Sequence, residues 1–360
     1  MLSRIFTAAV ALFGLASGAP ASLSRRLPGR VVSAGNPVVI DSAGVYIRVC
    51  SLNDGSLLAG YAAPDGSQHV LRAARSTDGG QSWQFRGEVT RADESTHDLD
   101  NAFPLQLSSG RILYAYRNHD RSGSEYTYYR ITISYSDDGG ATFKYLSTVV
   151  ERAAAAAGFN GVWEPFLRVA NDGSLQCYYS AETSSTNQDG YVRKSTDGGV
   201  TWSSPISVSG TSVTSRDGMI GVAKVDGNGN LIAVFENTES GFFSIDYVRS
   251  HDDGQSWGER ARLYTAANGG EAIAPQITNV GGTLVASFMT DESIGATGAD
   301  GGQMKVITST NGGNSWSSSV VTGQVPSHWP GLFTRDSTHF LALYSKGGTG
   351  AVSQSYELAN

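Results

Sequence analysis

The sequence predicts an all-β fold, a six-bladed β-propeller with four-stranded blades, on three observations. Five segments share the pattern S-x-[DN]-x-G-x-x-[WF]; they start at Ser76, Ser136, Ser195, Ser250 and Ser309, at intervals of 60, 59, 55 and 59 residues. A turn residue, an apolar residue two later and an aromatic six later recur six times. These run from Gly55 to Tyr61, Gly110 to Tyr116, Gly173 to Tyr179, Gly229 to Phe235, Gly282 to Phe288 and Thr338 to Tyr344. Glycine accounts for 44 of the 360 residues and charged residues for only 16%, against a usual ~25%. That is the composition of many short strands joined by tight turns.

Taken in chain order, residues 1–21 read as a secretory signal. Arg4 supplies the positive start, Ile5 to Leu15 the apolar stretch and Ala19-Pro20-Ala21 the cleavage site. Arg25-Arg26 could be a processing site, placing the mature start at Leu27. The expectation is a secreted, extracellular protein, since no other stretch approaches a membrane span. Next, Arg30 to Ser33 is expected to complete the sixth blade. That unit runs out of chain after a strand near Ala351 to Leu358 and has no turn motif of its own. Closure of this kind removes an exposed edge.

Each unit of about 55–60 residues between these ends can hold strands A to D, with the second repeat at the A–B turn and the first at the C–D turn. Length alone would suggest two domains, but six radial units make residues 27–360 a single ring. Within the S-x-[DN]-x-G-x-x-[WF] motif, Asp or Asn bonds its own backbone two residues on and Gly accepts positive φ. The terminal aromatic is expected to pack the turn on the sheet beneath. These Asp residues are therefore structural. Cys50 and Cys177 fall in strands of different repeats, so a disulfide and two buried thiols both remain open.

Composition also narrows the partners. There are 26 basic and 33 acidic side chains, a net charge of −7, with Lys and Arg scattered rather than clustered. This argues against nucleic acid and against an acidic membrane surface. With 40% apolar residues the chain can bury a core.

Function must come from residues that break the repeat. Strand A starts, and strand B ends, on the same face near the propeller axis. Just before the strand A proline stand Phe103, Glu164, Ala274 and Trp329. One residue beyond the strand B aromatic stand Ala62, Arg117, Ser180, Glu236, Met289 and Ser345. Two glutamates, Glu164 and Glu236, thus converge from blades three and four. Such a pair is what glycoside hydrolysis requires: one carboxyl protonates the leaving oxygen, the other acts as nucleophile or base.

The five motifs resemble the Asp-boxes of sialidase-like propellers, a resemblance that spans essentially the whole mature chain. Asp-boxes alone do not assign function. Sialidases also carry three arginines for their substrate's carboxylate, and Val45 stands where the first would be. Arg117 and Arg216 could bind an anion, but no triad is evident. Asn160-Gly161-Val162-Trp163-Glu164-Pro165-Phe166, with Phe235-Glu236-Asn237 placing the second Glu 72 residues after the first, is similar to the fungal exo-α-1,5-L-arabinanases of glycoside hydrolase family 93. The resemblance implies a secreted six-bladed propeller that cleaves linear arabinan from its non-reducing end. It further implies release of arabinobiose with retention, catalysis by Glu164 and Glu236, and no metal or other cofactor. A divergent sialidase or other propeller glycosidase, and a non-catalytic carbohydrate-binding propeller, are the alternatives.

Retention would place the two carboxyl groups about 5–5.5 Å apart. Trp163, Pro165 and Phe166 flank Glu164, whereas Asn237 and Thr238 follow Glu236; this leans toward Glu164 as acid/base and leaves the roles open. Sugar binding needs hydrogen-bonding groups and an aromatic platform. Asn101, Arg117, Asn118, His119, Asp120, Trp163, Arg216, Asp217, Gln276, Asp291 and Trp329 are the candidates by position, each with a solvated loop site as the plain alternative. Tyr344 could reach a catalytic carboxylate or be a core aromatic of its repeat. Six scattered histidines show no ligand spacing, and Glu239 lies too far along its loop for a primary role. The expected partner is an oligosaccharide or polysaccharide, bound by a monomer.

Overall fold

The computed structural model describes residues 29–156, 158–295 and 298–359; the predicted signal and processing site lie outside them. Six antiparallel sheets follow one another around an axis. Blade 1 comprises Val45–Ser51, Leu57–Ala62, Gln68–Ser76 and Gln84–Asp93. Blade 2 comprises His97–Gln106, Ile112–Ser122, Glu125–Ser136 and Lys144–Ala153, and blade 3 Val162–Val169, Leu175–Ser184, Asn187–Ser195 and Ile206–Ser209. Blade 4 comprises Gly218–Lys224, Leu231–Asn237, Ser244–Ser250 and Gly258–Tyr264, and blade 5 Ala272–Val280, Thr283–Thr290, Gln303–Ser309 and Val320–Gly323. Blade 6 takes Ser327–Thr334, His339–Lys346 and Gly350–Ala359 from the end of the chain and Arg30–Ser33 from the beginning, and the short strand Val38–Asp41 also pairs with Gly350–Ala359. Arg30 pairs with Ala359 and Ser33 with Tyr356, so the ring closes as the sequence predicts.

Strand B is the most buried strand of its blade, matched in blade 4 by strand A, because both of its faces meet neighbouring sheets. Leu57–Ala62 and Thr283–Thr290 are buried at every residue. This sandwiching explains the low charge content: a strand covered on both faces has little room for ionised groups.

All five Asp-boxes adopt one geometry. In the first, Ser76 donates to Asp78 (2.7 Å) and accepts the Gly80 N–H (2.8 Å), while Asp78 also accepts the Gln81 and Ser82 N–H groups (3.0 and 2.9 Å). Hydrogen bonds of this kind, led by that from the Ser82 hydroxyl, hold the Asp78 carboxyl down at about 2. The carboxylate is thus occupied by its own turn. In the first and third motifs the terminal tryptophan also reaches the preceding blade through its ring N–H. Trp83 Nε1 donates to Ser353 in blade 6 (3.0 Å), and Trp202 Nε1 to Ser147 in blade 2 (3.1 Å). In these two motifs the turn is stapled to the neighbouring blade. Cys50 and Cys177 are buried free thiols in blades 1 and 3, which settles the alternative left open above.

Candidate active site

Every inner strand carries the same irregularity. Between Trp163 and Phe166 the pairing slips, so that Glu164 and Pro165 lie opposite the single residue Tyr179. The same two-against-one bulge recurs opposite Tyr61, Tyr116, Phe235, Phe288 and Tyr344. These are the six aromatics of the hairpin repeat. The first residue of each bulge has positive φ: Tyr46 (54°), Asn101 (56°), Glu164 (45°), Met219 (54°), Ala274 (54°) and Trp329 (55°). None is glycine, although this backbone region costs other residues about 1–2 kcal/mol. Strain repeated six times around one axis is supported by the fold and re-aims the side chains. Tyr46, Met219, Ala274 and Trp329 indeed pack together with Met289, although they come from different blades.

This ring corrects one sequence alignment. Anchoring on the strand A proline selected Phe103 in blade 2, but the residue equivalent to Glu164 is Asn101, two positions earlier. It also adds Tyr46 and Met219, which were not singled out. A recurrence of 55 residues links Tyr46 to Asn101 and links Glu164, Met219, Ala274 and Trp329. That spacing was the available signal.

Glu164 and Glu236 are both partly buried on this face. Glu236 is the last residue but one of its strand and pairs with Gly218, immediately before the blade 4 bulge. Its Oε2 accepts the Ala274 N–H at 2.7 Å. Burial nevertheless pushes its carboxyl up to about 7, against that donor and the nearby Arg216. Glu164 is raised further, to about 8, by burial first and then by the negative charge of Glu236, with Arg117 opposing. Glu164 Oε2 is buried without a hydrogen-bond partner. A backbone N–H lowers each carboxyl, from Ala274 on Glu236 and from Met219 on Glu164, while burial raises both and the charge of Glu236 raises Glu164 further.

Trp163, Trp329, Arg117 and Arg216 share the face and are likewise partly exposed. Arg117 lies over the Trp163 ring, 5.4 Å from its centroid. Its Nη2 donates to Asp98 (2.9 Å) and Asp100 (3.4 Å). Arg216 Nη2 donates to Glu182 (2.8 Å) and Gln188 (3.1 Å). Both guanidinium groups thus already have carboxylate partners from the protein.

Other predicted binding residues turn out to have structural partners. His119 is fully buried; its Nε2 donates to the Val162 carbonyl (2.8 Å), and its ring meets Trp163 edge-on at 4.8 Å. Burial pushes its imidazole down to about 3, so it is neutral and acts as a wedge behind Trp163. Asn118 donates to Thr132 (3.3 Å). Asp120 is paired with Arg130 on the neighbouring strand. Asp217 is fully buried against Arg260 (2.6 and 3.2 Å). Asp291, also fully buried, clamps its loop by accepting the Glu271 and Gly298 N–H groups (2.7 and 2.8 Å). Gln276 belongs to the axial channel beneath the face. Tyr344 is a core aromatic packed with Val352 and Tyr356. Glu239 pairs with Arg260 (3.3 Å).

Among the described residues no His, Cys, Asp and Glu cluster could hold a metal ion, and no helix is long and apolar enough to cross a membrane.

Among solved structures, an α-L-arabinanase from Penicillium chrysogenum in complex with arabinobiose is similar, with a TM-score of 0.71 and 22% identity over 91% of this chain and 99% of that one. A GH93 α-L-arabinofuranosidase of Fusarium graminearum with arabinobiose gives a TM-score of 0.70 at 22% identity, covering 91% and 97%. The NanB sialidase from Streptococcus pneumoniae gives 0.59 at 11% identity, covering 92% and 70%. At these identities the likeness is one of fold. No curated protein matches the sequence. The family described as a BNR repeat-like domain matches residues 28–272, more than half of the chain, and the chain belongs to that family.

Proposed function

We propose that this protein is a secreted, retaining glycoside hydrolase that cleaves α-1,5-linked L-arabinan from the non-reducing end, releasing arabinobiose. The observation that carries the proposal is the pair Glu164 and Glu236. They come from adjacent blades, stand on the axial face and lie close enough for one charge to raise the other's proton affinity. Structural requirements alone do not explain such a pair, since burying two coupled carboxyls costs stability. The shared fold with the arabinobiose-bound enzymes supports the choice of substrate.

The asymmetry between the two carboxyls divides the labour. Glu236, the less raised of the two and bonded by the Ala274 N–H, attacks the anomeric carbon as its carboxylate and forms an ester to it while the glycosidic C–O bond breaks. Glu164 gives its proton to the departing oxygen. In the second half Glu164 takes a proton from water, the hydroxyl adds to the anomeric carbon, and the ester breaks to restore the Glu236 carboxylate. Trp163 and Trp329 offer apolar faces to the sugar ring. The partners already held by Arg117 and Arg216 favour a neutral sugar over an acidic one such as a sialoside. An anionic substrate would have to displace Asp98 or Glu182 from a charge-assisted hydrogen bond.

Linear α-1,5-arabinan is the test substrate, with Glu164→Ala and Glu236→Ala assayed with and without azide. Azide attacking directly in the Glu236 variant yields the inverted glycosyl azide, and attacking the ester in the Glu164 variant yields the retained one. Full activity in both variants would remove the site assignment. Cleavage of a sialoside with arabinan left intact would remove the substrate.

A further inference from the structure

Two buried polar side chains at the junction of blades 3 and 4 take no part in the steps above. Glu182, near the end of Leu175–Ser184, is only 7% exposed. Its two oxygens go to different segments: Oε2 accepts the Gly161 N–H (3.1 Å), and Oε1 accepts Arg216 Nη2 (2.8 Å). Gln188, buried near the start of the next strand, accepts the same Nη2 (3.1 Å) and donates to the Asp217 carbonyl (3.1 Å).

Each of the two segments carries one of the glutamates. Gly161 stands three residues before Glu164 and is itself fixed. The Glu182 N–H donates to its carbonyl (2.9 Å), and the Trp163 ring lies 2.5 Å from where a Cβ on Gly161 would stand. Arg216 is tied to the chain just beyond Glu236: its N–H donates to the Thr238 hydroxyl (3.0 Å), and the Thr238 N–H donates to the Ser215 hydroxyl (3.0 Å). Gly218, the partner of Glu236 across the strands, leaves the space that both side chains use. A Cβ there would lie 2.7 Å from Gln188 Nε2 and 3.1 Å from Glu236 Oε1. One buried carboxylate thus joins the segment leading to Glu164 with the cation beside Glu236, through charge-assisted bonds of defined direction.

We infer that Glu182 is a positioning residue of the active face, which with Gln188 holds Arg216 beside both glutamates and fixes their relative placement. The inference rests on the reading of Glu164 and Glu236 as the hydrolytic pair. Arg216 lowers the proton affinity of both. Glu164 also faces Glu236, Arg117 and the Tyr46 phenol, Glu236 faces Glu271, and Glu182 faces Tyr129. A free cation in this place would draw from Glu164 the proton it must deliver. Held against Glu182, the cation is largely balanced, and both oxygens of the tie keep the two segments in register.

Glu182→Gln keeps the shape and removes the charge. It should lower kcat on arabinan about 10- to 100-fold and move the alkaline limb of the pH profile down. NMR titration of protein labelled at the glutamate carboxyl carbons, assigned with Glu164→Gln and Glu236→Gln, reads the pair directly. Both carboxyls should titrate about one pH unit lower in Glu182→Gln and higher in Arg216→Met. A tie that serves folding alone would give no such opposite shifts. Carboxyls unmoved in both variants would overturn the inference, as would wild-type kcat in Glu182→Gln. The titration needs no substrate, so wild-type protein that leaves arabinan intact would remove the proposed function while the titration still decides on Glu182. If Glu182→Gln does not fold, Glu182→Asp, too short to reach both partners, and Arg216→Met decide together. Lost kcat in the first and raised carboxyls in the second support the inference, and the absence of either overturns it.

Discussion

Replacing Glu164 with glutamine should make the protein more stable at alkaline pH, because the wild-type side chain is held for chemistry rather than for folding. In the folded protein its carboxyl keeps its proton to about pH 8, against 4.5 for an ordinary glutamate. Between those values the folded state binds a proton that the unfolded chain has released. Stability therefore falls as pH rises from about 4.5 and stops falling above about 8. Each pH unit is worth ~1.4 kcal/mol, which sets a ceiling of ~5 kcal/mol. Glu164 is only partly buried, and solvent screening reduces the effect to roughly 2 kcal/mol. Glutamine keeps the shape and has no charge to bury. Urea unfolding of wild type and Glu164→Gln from pH 5 to pH 9 should give curves that diverge with pH in favour of the variant, alongside lost activity. Parallel curves would refute the reasoning that this carboxyl is strained by its surroundings.

Activity should follow the same two groups. Glu236 must be ionised and Glu164 protonated, so kcat/KM should be bell-shaped, its acid limb near 7 and its alkaline limb near 8; limbs both at ordinary carboxylate values would contradict this. In the fourth Asp-box, Ser250 accepts the Gly254 N–H (2.8 Å) and donates to Asp252 (2.8 Å). Ser250→Ala should cost ~1–3 kcal/mol in denaturant unfolding and leave KM unchanged. Arg117→Met strips Asp100 of its cation and leaves Asp98 with Arg121 alone (3.5 Å), and should cost on the order of 3 kcal/mol. An unchanged midpoint would show that these carboxylates find other partners. Neither thiol should react with a disulfide reagent in the native protein, since burial pushes Cys50 up to about 12 and Cys177 higher still; two should react after unfolding.

The ring was legible because its turns repeat: five Asp-boxes and six hairpin aromatics mark the same points of every blade, and the missing sixth box pointed to Arg30–Ser33. The glutamates were legible because strand polarity puts the start of strand A and the end of strand B on one face. Polarity does not say what surrounds a residue there. Asp217 and Asp291 stand at the expected positions, but one neutralises Arg260 and the other clamps backbone N–H groups. His119 is turned inward behind Trp163. The bulge was hidden for a different reason: it inserts a residue without changing the repeat length, so proline positions misled the comparison at Phe103.

The central claim is that Glu164 and Glu236 act together in retaining hydrolysis of an arabinan, and the anomer first released from an α-1,5-arabino-oligosaccharide tests it most directly. Proton NMR of the reaction with wild-type protein should show the α-anomer of the product appearing first and mutarotating afterwards. Appearance of the β-anomer first would contradict the double displacement through Glu236.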